Sequence, residues 1–432
     1  MPKYQEFYKG IAESRRVQSG FDDIQNGDIH SELGAFVCQK ALVKKSGTTV
    51  DKPVYFGVAP SGDAYLFSQI DGAVFKRAIS NGAYSTVRTG TNGAHRGARY
   101  YNGYIYYSMN DKLGRFDLAT TWNDNFQNLT ASYAHPLEAF DLILYIGNGR
   151  DIAQLDDAGV FTSSALDLPL EYHVTALAPL GDDLLTLANP GDYINQSAVF
   201  RWNTYGDSWS VKDAFYETNA YAFVDADNYK YVATNTGKIW FYNGNQLEIF
   251  TEIRNPAATA GHQLTTNFGG KSLIANGGKI YSIHRKNRNM PIAMACEFTC
   301  SAGADATIYA IQALGKNLLV SWGKLINGVM TYGVDEIGTT YAEAVVVTPR
   351  FKKGGAVMVY YEDLNGGTIS IESKKDGEDE WTSHDVINDS DDYAFVRTVD
   401  GIIARSGCQA RITVTPANPA TTTPIIDLIE IN

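Results

Sequence analysis

Cysteine is scarce in this sequence of 432 residues: there are four, at positions 38, 296, 300 and 408. Cys296 and Cys300 fall in MPIAMACEFTC, which reads as a strand. At ~3.3 Å per residue their Cα atoms stand ~13 Å apart, beyond the ~7 Å reach of a disulfide. A zinc site would need further ligands, and only His284 is near in sequence. All four are read as buried free thiols. No run approaches the ~18–20 apolar residues of a membrane span. The N-terminal MPKYQEFYKGIAESRRVQ has no apolar core of a secretory signal, so a chain that acts in solution, or leaves by another route, is expected. Charge is sparse too, at 19% of residues, and the net −12 contains no basic block. A nucleic-acid groove or an anionic-membrane surface is therefore not expected. The short basic run His284–Arg288 reads as a solvated loop.

Recognisable chemistry is missing as well. There is no GxSxG, no HExxH and no Gly-rich phosphate loop. The seven histidines, at 30, 95, 135, 173, 262, 284 and 384, never fall at metal-ligand spacing. His135, just before Pro136, reads as part of a turn.

What is plentiful is glycine (40), tyrosine (27) and hydrophobic residues (44%), a mixture suited to a well-packed β protein with many turns. Ala222–Phe250, AFVDADNYKYVATNTGKIWFYNGNQLEIF, shows the pattern most clearly: four short strands with turns at Ala226–Asn228, Thr236-Gly237 and Asn243–Asn245. The same unit recurs from Pro53. Its first hairpin turns fall at Gly62, Gly103, Asp141, Gly181, Asn228, Gly270 and Lys316. Third strands follow as AVFKRAI, KLGRFDL, DIAQLDD, SAVFRWN, KIWFYNG, KIYSIHR and GVMTYGVD, and most units add a polar fourth strand. Steps of ~40–45 residues are the period of propeller blades. The expected fold class is all-β, a seven-bladed β-propeller followed by a C-terminal β-sandwich.

Residues 51–340 are assigned to the propeller. After Tyr341 the rhythm changes to longer, strictly alternating strands, and residues 341–432 are assigned to the sandwich. There Cys408, Ala410, Ile412 and Val414 face one way, and Gln409, Arg411, Thr413 and Thr415 the other. Residues 1–50 are read as an N-terminal arm whose apolar stretch Ala35–Val43 is a candidate to close the ring by joining the last blade, with the segment before it running over a surface.

Several constellations bear on chemistry. Thr204-Tyr205-Gly206-Asp207-Ser208-Trp209 and Ser373–Trp381 are near misses to the Asp-box of propeller glycosidases. Arg77, Arg96, Arg99, Arg115, Arg150, Arg201 and Arg254 could form a carboxylate-binding cluster only if three converged. Asp225–Asn228 and Asn388–Asp392 offer oxygen ligands without a complete calcium loop and are read as turns. The aromatic runs Tyr100–Tyr107 and Trp240–Tyr242 sit at repeat positions and are read as inter-blade packing rather than sugar platforms. No catalytic, cofactor-binding or metal-binding residue is assigned, and no enzyme activity is expected.

An N-terminal arm carrying GFDDIQNGDIHSELGAFVCQKAL, a blade array, and a C-terminal sandwich with ISIESKKDGEDEWTSHDV and SGCQARITVTPANPATTTPIIDLIEI resemble tail hub or nozzle proteins of tailed bacteriophages. The resemblance extends to propeller-bearing virion proteins in which Tyr332-Gly333-Val334-Asp335 ends the last blade before a strand like Tyr341–Val347. It implies a structural virion component of the tail, assembled in the host cytoplasm. Copies would form a symmetric homo-oligomer that contacts the connector, tail tube or fibres, without binding nucleic acid or entering a membrane. No fibre-docking signature is present. A glycan-binding or glycan-cleaving propeller is the alternative, and it predicts a pocket of aromatic rings and carboxylates on one face of the ring.

Overall fold

In a computed structural model, the described residues are 3–4, 21, 23–29, 35–90, 93–130, 134–191, 195–226, 229–244, 246–257, 263–285, 292–351, 356–362, 364–375, 377–388, 396–400, 408–417 and 423–431. Among them every regular element is a β-strand.

Seven four-stranded antiparallel sheets follow one another along the chain. The first runs Val54–Val58, Ala64–Ser68, Val74–Arg77 and Tyr84–Arg88, and the fifth, the sequence stretch read most easily, runs Ala220–Ala226, Tyr229–Thr234, Lys238–Tyr242 and Leu247–Glu252. The seventh takes Thr307–Leu314, Asn317–Ile326 and Val329–Tyr341 from the end of the series, and its fourth strand, Lys40–Lys44, from near the start of the chain. The first strand of each sheet contacts that of the next, and Thr307–Leu314 returns to contact Val54–Val58. The fold is a β-propeller.

Burial explains why the repeat holds together, because each blade has two apolar faces and each face needs a neighbour. Tyr55, Phe67, Ile105 and Tyr107 fill the space between blades one and two. Tyr106, Leu113, Leu144 and Leu155 fill that between two and three, and Tyr145, Phe200 and Trp202 that between three and four. Val54, Phe56 and Leu66 of blade one meet Leu314, Leu319 and Val334 of blade seven. Each fully buried large side chain contributes about 1.5–3 kcal/mol. The Tyr and Trp runs are packing residues as expected: Tyr107 is fully buried, and Trp240 packs on Phe215 of the preceding blade.

Among the described residues seven strands follow Tyr341, divided between two sheets. The alternation at Cys408–Thr415 is as read, with Cys408, Ala410, Ile412 and Val414 buried and the residues between them partly exposed. The four cysteines are free and buried.

The arm differs from its expectation. It does not simply run over a surface: Asp23–Gln25 pairs with Ala344–Val347, and Phe36–Cys38 pairs with Ile425–Ile431, so both sandwich sheets take strands from it. Phe21, Ile24, Ile29 and Phe36 are buried in a core shared by the sandwich and blades five to seven. The stretch Ala35–Val43 is split accordingly. Its first half belongs to the sandwich, and the ring-closing strand is Lys40–Lys44. A short apolar run is compatible with either sheet, and only the partners decide.

Candidate functional site

Two cavities stand out. The first, about 290 Å3, lies where the innermost strands converge. Its walls come from Gly97–Arg99, Pro136–Glu138, Ala176–Pro179, Ala222–Asp225 and the segment around Gln263–Asn267. Gly97 is required by a close approach, since a Cβ there would sit 2.5 Å from the carbonyl oxygen of His135. Polar groups in this cavity satisfy one another. Arg99 donates to Glu138 at 2.8 Å, and Lys230 pairs with Asp225. Burial raises the Glu138 carboxyl above its ordinary range; Arg99 and Lys230 oppose that rise, and Asp225 adds to it. Gln263 reaches across the ring: its amide oxygen accepts from Phe56 N–H at 2.7 Å, and its Nε2 donates to the carbonyls of Phe56 (2.8 Å) and Ala98 (3.0 Å). This side chain ties the sixth blade's entry to blades one and two. The axis is braced by these contacts.

The second cavity, about 520 Å3, lies where the sandwich meets the propeller. Trp381, Gln409, Val347, Asp23 and Gln25 line it from the sandwich side. On the propeller side it is lined by Glu252 at the end of blade five and Ile253–Asn255 after it, by Asn276, Gly277, Lys279, Tyr281 and Met294 of blade six, and by Ala304 and Asp305. Trp381 is half-buried, with the Arg411 guanidinium 4.7 Å and the Lys374 ammonium 6.0 Å from its ring centroid. Arg411 is itself held by Glu372 at 2.5 Å.

Next to this cavity the junction buries an ionic trio. Lys271 on blade six lies 2.7 Å from Asp28 of the arm and 3.0 Å from Glu297 on the same blade. Gln39 donates to Glu297 at 3.2 Å. Burial pushes the Glu297 carboxyl up to about 7, with Lys271 opposing and Asp28 reinforcing. Burial disfavours the Lys271 ammonium, but Glu297 and Asp28 outweigh it and raise its pKa.

The residues singled out by sequence are placed apart. Arg77 is held by Glu336, Arg201 by Asp183, Arg150 lies beside Asp151 and Asp167, and Arg115 covers Phe126 at 4.2 Å. Each sits on a different blade or interface, so these arginines form no carboxylate cluster. The near miss at Thr204–Trp209 is a blade-four turn, in which Trp202 donates to the Gly206 carbonyl at 2.7 Å and Trp209 packs on Phe200. His135 is buried, its two ring nitrogens each 2.8 Å from a carbonyl, those of Gly147 and Asn110. Burial holds its pKa below the usual range despite those bonds. Asp227, Asn228, Asp389–Asp392, His30, His262, Lys286–Arg288 and Asp376 lie outside the described residues. Among the described residues no three His, Cys, Asp or Glu side chains gather as a metal site. Sequence reasoning missed the junction cavity, because its walls come from segments hundreds of residues apart.

No protein-family model and no curated protein matches the chain. Solved structures that resemble it are propellers of varied function. A streptogramin B lyase is 11% identical, with a TM-score of 0.48 over 68% of this chain and 96% of that one. BamB from Moraxella catarrhalis is 12% identical, with a TM-score of 0.43 over 70% and 91%. The Dos1 propeller is 10% identical, with a TM-score of 0.47 over 71% and 96%. The likeness is one of fold. Among the described residues no helix is long and apolar enough to cross a membrane.

Proposed function

We propose that this chain is a non-enzymatic structural subunit of a bacteriophage tail, of the hub or nozzle kind, that assembles with copies of itself and with neighbouring virion proteins. The observation that carries this reading is the second hairpin of blade seven. Its strands, Asn317–Ile326 and Val329–Tyr341, are 10 and 13 residues long, longer than those of other blades. The excess length forms a tip whose side chains Leu325, Ile326, Val329 and Met330 are 63%, 43%, 66% and 42% exposed. Asn327 and Gly328 make its turn with positive φ. A contiguous apolar tip of this kind is a contact element awaiting a partner surface. The resemblance of the arm and the closing segments to tail proteins supplies the setting. The arm, shared between ring and sandwich, gives the rigid body that such a position requires.

The test is mass spectrometry and immunogold labelling of purified particles from the source phage. The reading expects stoichiometric copies at the tail, and lost incorporation when Leu325 and Val329 are both replaced by Asp. Absence of the protein from intact particles would overturn it.

A further inference from the structure

The cleft between sandwich and propeller has the chemistry of a binding site that the structural role does not use. Its volume, about 520 Å3, lies in the range of small-molecule sites, roughly 300–1,000 Å3. Trp381 and Tyr281 supply aromatic wall from opposite domains. The Trp381 ring is fixed before any ligand arrives, braced by Arg411, which Glu372 holds in turn. Around these rings stand groups of both hydrogen-bonding senses: the carboxylates of Asp23, Glu252 and Asp305, the amide of Asn255, and the Lys279 ammonium. The side chains of Glu252, Asn255 and Lys279 line the cleft and make no side-chain hydrogen bond or ion pair among the described residues.

The balance of these groups selects the ligand class. Asp305 is held by Lys324 at 2.6 Å, which leaves two acids (Asp23, Glu252) against two bases (Arg254, Lys279), an even balance that gives no net attraction for phosphates or other anions. The polar lining disfavours a purely apolar ligand. Sugar hydroxyls both donate and accept, and sugar ring C–H faces stack on aromatic rings, so mixed donors and acceptors beside a Trp suit a polyol. We propose that this cleft binds a neutral oligosaccharide. The aromatic-and-carboxylate pocket expected of a glycan-binding propeller thus lies under the sandwich and not at the ring axis.

The test uses the full-length protein on a glycan array carrying neutral and carboxylated oligosaccharides. Saturation-transfer NMR titration with the best-bound glycan then measures affinity. The proposal expects neutral glycans to bind, with affinity falling at least tenfold in Trp381→Ala and several-fold in Glu252→Ala. Glu252→Ala sits on an exposed strand end and keeps the test informative if Trp381→Ala misfolds. An array with no bound glycan, binding confined to carboxylated glycans, or affinity unchanged in Glu252→Ala would each overturn it.

Discussion

The seam that closes the ring and the junction that seats the sandwich are both built around a buried glutamate, and the two are solved differently. At the seam, Glu336 of blade seven is 5% exposed and accepts from Arg77 Nε at 2.8 Å, from Arg77 Nη2 at 2.7 Å and from the Tyr84 hydroxyl at 2.7 Å. Asn317 also donates to it. Burial alone would raise this carboxyl, but Arg77, Tyr84 and Asn317 together hold it below its ordinary value. At the junction, Glu297 is 2% exposed and shares its one cation, Lys271, with Asp28, and burial wins, lifting it to about 7. A planar, bidentate guanidinium from the adjoining blade compensates desolvation where a shared ammonium does not. The seam is therefore the acid-sensitive contact, and the junction is the acid-tolerant, base-sensitive one.

The largest effect is expected at the seam. Arg77→Ala leaves Glu336 buried without its cation and should cost about 3–5 kcal/mol in urea unfolding. At the junction, Ile24→Ala empties a fully buried site in the shared core and should cost about 2–5 kcal/mol. Equal loss from Ile24→Ala in a variant lacking the sandwich would contradict a shared core. Across the axis, Gln263→Ala strands the Phe56 N–H and should cost about 1–3 kcal/mol, with the seam's pH response unchanged.

The smallest effect, and the sharpest contrast, is in pH. Glu297 has a raised folded pKa, so its contribution is full below the unfolded value of about 4.5 and is lost as pH rises through about 7. Glu336 has a lowered one, so its contribution is present above the unfolded value and is lost as pH falls through the folded one. Chemical denaturation between pH 4.5 and 8 should show a decline that Glu297→Gln flattens. The acid-side loss below pH 4.5 should remain in Glu297→Gln and shrink in Glu336→Gln.

Much of the fold was legible because the repeat is written in turn residues and strand alternation. Gly62, Gly103, Gly181 and Gly270 hold positive φ where the first hairpins turn, so a glycine recurring at blade spacing reports backbone geometry directly. Cys408–Thr415 announced its buried face by strict alternation. The division of Ala35–Val43 was not legible, since Phe36–Cys38 pairs with Ile425–Ile431 and Lys40–Lys44 with Val329–Tyr341, partners about three hundred or more residues on. Neither was the junction cleft: Gln25, Glu252, Lys279 and Trp381 are ordinary surface residues one at a time and become a site only by convergence. The sequence expectation of free, buried thiols held at Cys38, Cys296, Cys300 and Cys408. The expectation of a surface-running segment failed because Ile24 and Ile29 sit among polar neighbours that mask their burial.

The central claim is that the arm makes ring and sandwich one body, with Lys40–Lys44 completing the last blade and Asp23–Gln25 and Phe36–Cys38 completing the sandwich. Native-state hydrogen exchange resolved by residue tests it most directly. The amides of Lys40–Lys44, of Asp23–Gln25 and of Cys408–Thr415 should open together, at one free energy and with one denaturant dependence. Sandwich amides that exchange through a separate opening, well below the free energy of the ring, would contradict it.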